Sequence, residues 1–148
     1  MELVKATMAD SEKLTHYFRQ TSLPARVTLQ LHRKDNFFSP YQIQSNDYVT
    51  YILVDQEDKS VQAMASLVFR KAWINGQEQT VGYATDLRVS NNRKAILEWS
   101  NHFLPMLKEE KEKRNCEYIF SVVVERQSQA YNAFIRPRST RRVMPRYY

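Results

Sequence analysis

An α/β domain built on a mixed sheet is the fold that this sequence predicts, and three observations predict it. Three consecutive segments rich in β-branched and aromatic residues, 48–54, 61–74 and 78–89, are separated by short turn-forming stretches, as in an antiparallel meander. A long segment over 93–114 follows with apolar residues at helical spacing. Then the nearly unbroken apolar run 118–124 has the pattern of a strand covered on both faces, hence central and parallel to a neighbour. At 148 residues the chain is the size of one domain with one core.

The elements can be justified in order. Residues 2–6 alternate as a short first strand, and Thr7 with Asp10 three residues on predicts a capped helix start. Leu14, Tyr17 and Phe18 give that helix its apolar face, and Leu23-Pro24 marks the stop. Residues 27–44 have no single period; Leu29, Leu31, Phe37 and Phe38 fit a second, shorter helix ending before Pro40. Gln56-Glu57-Asp58-Lys59 supplies the first turn of the meander. Asn75-Gly76 predicts a type I′ hairpin, because both residues tolerate positive φ. In the long helix, Ile96, Phe103, Leu104 and Leu107 form the expected buried face, with 108–114 as a solvated end. Pro105 lacks a helical donor and should kink or break that helix near Asn101, at about 3 kcal/mol or more. Residues 128–135 read as a short amphipathic helix, and 136–148 hold two prolines and no period.

Composition excludes several function classes. The two glycines, Gly76 and Gly82, rule out a Walker A loop and a dinucleotide fingerprint, both of which need bare backbone against phosphate. Cys116 is the single cysteine, so neither an internal disulfide nor a zinc site of several thiolates can form. His16, His32 and His102 are too scattered for a metal motif, and no metal is expected. The net charge of +6 owes five units to Arg136, Arg138, Arg141, Arg142 and Arg146, without which it falls to +1. Basicity is thus a property of the tail, and a nucleic-acid partner is not expected even with Tyr147 and Tyr148 beside those arginines. The start carries no apolar leader pattern and the apolar runs are strand-sized, so a cytoplasmic protein with no membrane partner is expected.

The order strand, helices, meander, long helix, parallel strand, helix resembles the acyl-CoA-dependent N-acetyltransferases of the GNAT superfamily. The pieces that carry the resemblance are Val4-Lys5-Ala6-Thr7 with Asp10, the run Ala84-Thr85-Asp86-Leu87-Arg88-Val89-Ser90 leading into the long helix, and 118–124 followed by a helix. The resemblance implies a GNAT-like mixed sheet with an antiparallel meander, one central parallel pair and flanking helices. It implies transfer of an acetyl group from acetyl-CoA to a primary amine, the alternative being a catalytically inactive GNAT-like binding or regulatory module of a larger protein. The backbones of Leu87, Arg88 and Val89 would bond the pantetheine arm, and residues 91–96, with Arg93, Lys94, Ala95 and Ile96, would meet the pyrophosphate at a helix N-terminus. Gln127 matches the position of a family asparagine that also bonds the arm. Asp86 is the implied general base, and Tyr131 stands in as proton donor because Phe134 occupies the family's tyrosine position and cannot donate. Phe37, Phe38 and Tyr41 fall where the family lines its acceptor groove, and fit a hydrophobic core as well.

The family's phosphate loop has the form Gln/Arg-x-x-Gly-x-Gly/Ala, whereas this chain reads Arg93-Lys94-Ala95-Ile96-Leu97-Glu98. Side chains at the glycine positions predict weakened affinity for CoA. Residues 1–135 are expected to form the domain and 136–148 an arginine-rich junction, since a final hairpin is missing. A further domain beyond Tyr148 and self-association through the open sheet edge are the partners this implies, besides the amine.

Overall fold

Side chains alternate across a strand, so three long neighbouring strands with apolar residues at both parities need cover on both faces. The computed structural model describes residues 1–21, 33 and 36–122. Strands β1 (Glu2–Lys5), β2 (Asp47–Val54), β3 (Val61–Ile74), β4 (Gln77–Val89) and β5 (Tyr118–Phe120) form one five-stranded sheet in the order β1-β2-β3-β4-β5. The first four are antiparallel, and β5 runs parallel to β4 with Gly82 opposite Ile119. The type I′ turn forms as the sequence requires, with φ of 51° at Asn75 and 75° at Gly76.

Two helices, α1 (Ser11–Gln20) and α2 (Ser39–Gln44), cover one face. There Leu14, Tyr17, Phe18, Phe37, Phe38 and Tyr41 pack on Ile52, Met64 and Val68. A 3-10 turn over Met8–Asp10 precedes α1, and the Thr7 N–H donates to Asp10 Oδ2 at 2.8 Å as the capping box demands. Against the opposite face lies α3 (Arg93–Lys113). Its Trp99 meets Leu53, Ala63 and Ala65, and Leu107 packs beside Leu67, Phe69 and Cys116. Among the described residues no helix is long and apolar enough to cross a membrane.

Four expectations need correction. Pro40 lies in the first turn of α2 rather than beyond its end, because an N–H missing there would have had no helical partner anyway. Pro105 does not break α3, which is one helix from Arg93 to Lys113. Asn101 and Pro105 are exposed there, so water can take up the carbonyl that proline leaves unbonded. The buried stripe of α3 is Ala95, Trp99, Met106 and Glu110, with Phe103 and Leu107 half-buried beside it, while Ile96 and Leu104 are exposed and the expected solvated end holds a fully buried Glu110. Finally, the strand expected over 118–124 with cover on both faces is parallel to β4 as expected, but it spans only Tyr118–Phe120 and leaves Tyr118 and Phe120 exposed. Only Ile119 turns inward, towards Phe69 and Cys116. The helix expected over 128–135 and the tail 136–148 lie outside the described residues, as do Leu29, Leu31, Gln127, Tyr131 and Phe134.

Candidate cofactor groove and acceptor face

The site is built on the second half of β4. Its pairing with β5 stops at Tyr83 and Phe120, whose rings stack at 5.0 Å, yet β4 runs on to Val89. From Ala84 to Val89 the strand is bonded to β3 alone among the described residues, which leaves its other edge open. Within this stretch the register slips: Ser66 opposes Thr85 but Met64 opposes Arg88, so Asp86 and Leu87 together face Ala65. Asp86 adopts φ of 54°, the left-handed conformation that lets the extra residue fit. This bulge re-aims the side chains. Ala84 and Leu87, three apart, both reach the α3 face, and Asp86 and Arg88 are turned to the face of α1 and α2.

On that face Asp86 Oδ2 accepts hydrogen bonds from Arg33 Nη2 at 2.5 Å and from the Tyr41 hydroxyl at 2.6 Å. Arg33 Nη1 donates in turn to the Tyr41 oxygen at 2.8 Å and the Phe37 carbonyl at 3.1 Å. The guanidinium lies over the rings of Phe18, Phe37 and Tyr41, with its carbon 4.8, 4.4 and 4.9 Å from their centroids. Burial, reinforced by the Asp86 charge, drives the Tyr41 phenol well above its ordinary value, so it remains a donor. Asp86 is therefore an ion-paired carboxylate in a partly desolvated pocket; its partner is Arg33, not Arg88 or a lysine. Phe37, Phe38 and Tyr41 are almost completely buried and belong to the core.

Arg88 packs over the other portion of the Phe18 ring, 4.6 Å from its centroid, and its Nη1 donates to the Leu87 carbonyl at 2.9 Å. Leu87 thus offers one backbone group fewer to a ligand than the sequence suggested. Burial holds the Arg88 guanidinium below its ordinary value. Nearby, the Tyr17 hydroxyl donates to the Gln62 carbonyl at 2.9 Å and lies 3.3 Å from Ser90 Oγ.

Beyond Val89 the chain turns into α3. Ser90 N–H donates to the Gln62 carbonyl, and Asn92 Nδ2 donates to Gln62 Oε1, so Gln62 holds this turn from both sides. Asn92 is the N-cap, accepting from Ala95 N–H at 2.7 Å on its side chain and from Ile96 N–H at 3.1 Å on its carbonyl. Of the four residues assigned to the pyrophosphate, Ala95 and Ile96 already have their amides bonded inside the protein. The amides of Arg93 and Lys94 have no such bond among the described residues, and both side chains are exposed. Ile96, at the first glycine position of the family loop, leaves 45% of its surface open.

Arg33 and Gln62 have no sequence signal. Arg33 sits in the segment without a period, and its partner is 53 residues away. Gln62 is one glutamine among several on β3 and β4, and its role comes from the turn it faces.

No family model matches the chain, and no curated protein matches it. Solved structures do. It is 18% identical to a Trypanosoma brucei acetyltransferase, with 99% of each chain covered at a TM-score of 0.62. It is 14% identical to glucosamine-6-phosphate N-acetyltransferase from Arabidopsis thaliana, covering 99% of this chain and 97% of that one at a TM-score of 0.62. It is 17% identical to a protein described as a predicted acetyltransferase with acetyl-CoA from Clostridium acetobutylicum, covering 98% and 95% at a TM-score of 0.65. The identities are low, but nearly complete coverage of both partners, the mixed sheet and the open half of β4 agree: this chain has the fold of the GNAT N-acetyltransferases.

Proposed function

We propose that the protein transfers an acetyl group from acetyl-CoA to a primary amine. The observation that carries this reading is the open edge of β4 over Ala84 to Val89, which leads directly to the N-terminus of a long helix. An open strand edge fits an extended amide-bearing arm, and a helix start fits a pyrophosphate. The residues present suit the arm well and the pyrophosphate in part. Arg88 and Val89 offer backbone groups, while Arg93 and Lys94 offer two amides and two cationic side chains at the positive end of the α3 dipole. Acetyl-CoA, when bound, supplies an acetyl group activated as a thioester.

The chain's own part is to orient the amine and accept its proton. Asp86, aimed by the bulge at the face of α1 and α2, is the candidate acceptor. Its Oδ2 is already bonded by Arg33 and Tyr41, so the proton would go to Oδ1 directly or through water. In this reading Gln127 bonds the arm and Tyr131 protonates the departing thiolate.

Calorimetry with acetyl-CoA, followed by a screen of primary amines for acetylation, tests the proposal. Saturable heat and turnover are expected, and no heat from folded protein would overturn it. A second reading, a GNAT-like binding or regulatory module without chemistry, is favoured by Ile96 and Glu98 at the glycine positions and by the internally bonded amides of Ala95 and Ile96. It predicts no acetylated product from any amine.

A further inference from the structure

Among the described residues three arginines lie over aromatic rings, and two of them have a carboxylate in contact. Arg33 bonds Asp86, and Arg114, 4.1 Å from the Phe69 ring centroid, bonds Asp47 and Glu110. Arg88 differs. Among the described residues it contacts no acid; its Nη1 bonds only the carbonyl of the preceding residue, and its Nε is buried with no hydrogen-bond partner. A guanidinium has five N–H donors, and a buried one left open is costly unless something fills it.

The surroundings make the missing group an anion. Arg33 and Arg88 flank one ring, Phe18, and share a single carboxylate, Asp86, which is bonded to Arg33. Among the described residues the cluster therefore holds one positive charge without an acid in contact. The nearby phenols of Tyr17 and Tyr41 are both raised above their ordinary values, chiefly by burial, and add no negative charge. Arg88 projects to the same face as Asp86 and lies two residues from it, on the side away from α3.

We propose that Arg88 binds an anionic group of the acceptor, so that the acceptor is a small molecule carrying both a primary amine and a carboxylate or phosphate. This rests on the acyl-transfer reading and narrows it. An anion on Arg88 would place an amine a few bonds away near Asp86, which makes Arg88 a specificity-determining residue. The charge-assisted bond to a planar guanidinium supplies both affinity and orientation.

Two measurements test it. The melting temperature of the wild-type protein is followed with inorganic phosphate and with acetate, without acetyl-CoA, beside Arg88→Met and Arg88→Lys. A saturable rise with at least one anion is expected, lost in Arg88→Met and weakened in Arg88→Lys; no rise, or an equal rise in Arg88→Met, overturns the proposal. Without any anion, Arg88→Met should melt no lower than the wild type, since a partly buried charge with an open Nε has been removed; a clear loss would assign Arg88 a purely structural role instead. Acetylation of propylamine, β-alanine and 3-aminopropyl phosphate is then compared. The anionic amines should be preferred by about tenfold or more in kcat/KM, and Arg88→Met should erase that preference. The favoured anion identifies the source. Acetyl-CoA turnover with propylamine as good as the rest sinks this inference and leaves the transferase reading intact. An Arg88-dependent anion site in a protein that binds no acetyl-CoA would overturn the transferase reading, and the acceptor role with it, while leaving Arg88 as an anion site.

Discussion

At the scale of single residues, the positions that matter most are those where the backbone or a charge has no freedom. Gly82 is one. A methyl group built there would lie 2.9 Å from Ile119 Cγ1 and 3.0 Å from Phe69 Cε1, closer than packed carbons approach. Gly82→Ala should push β5 from β4 and lower stability by about 1–3 kcal/mol, read as a lower urea midpoint. Asp86 is another. Asp86→Asn still accepts the Tyr41 hydroxyl but cannot balance Arg33 or take a proton. We expect kcat to fall about a hundredfold or more while circular dichroism stays native; unchanged kcat would remove Asp86 as base. Asp86→Ala should instead cost about 3–5 kcal/mol, because it strands a buried guanidinium. Asp86 was legible as a candidate because it stands within a recognisable strand. Its partner Arg33 was not, since a pairing across 53 residues leaves no local pattern.

Among elements, α3 depends on one buried carboxylate. Glu110 Oε1 accepts from Lys5 Nζ at 2.9 Å and from the Tyr51 hydroxyl at 2.5 Å, and Oε2 accepts from Arg114, so the helix is tied to β1 and β2. Arg114 also grips Asp47 through Nε and Nη2. Burial alone would raise the Glu110 carboxyl, but the bonds from Tyr51, Lys5 and Arg114 outweigh it and bring it down to about 2. A carboxylate depressed on folding stabilises fully above its unfolded value and loses that stabilisation as pH falls towards the folded one. The urea midpoint should therefore decline between about pH 4.5 and pH 2, and Glu110→Gln should start lower and flatten that limb. An identical acid limb in the variant would show that other carboxylates govern it. The sequence concealed this because Glu110 lies among lysines and glutamates that mark a solvated helix end. Trp99 and Ala95 were passed over as buried positions for a similar reason: the apolar residues beside them, Ile96 and Leu104, drew the stripe to the wrong side. The three meander strands were legible almost to the residue, since turn residues such as Asn75-Gly76 bound them, whereas β5 covers only Tyr118–Phe120 of the run 118–124.

The whole molecule has two half-cores on one sheet. Leu53 and Leu67 face α3 while Ile52 and Val68, their immediate neighbours, face α1 and α2. Neither half can lose its strands without exposing the other, so unfolding in urea should be a single transition with coincident far- and near-ultraviolet signals. Two separated transitions would show that the faces are independent. At this scale the sequence was read through the order of elements, which is robust to local error: Pro40 and Pro105 were misjudged, and the order survived both. What order could not supply was the occupancy of donors at the groove, where Asn92 rather than a ligand takes the amides of Ala95 and Ile96.

The anchoring of α3 at its far end also makes the helix a lever. Glu110 stands 17 residues from Arg93, about 25 Å along the axis at 1.5 Å per residue. Each degree of tilt about that fulcrum swings the first turn by roughly 0.4 Å, a displacement comparable to the tolerance of a hydrogen bond. Pro105 lies between fulcrum and tip, at the point where the shaft lacks one of its own bonds. Lys5 and Asp47, which touch nothing in the groove, thereby help to aim it.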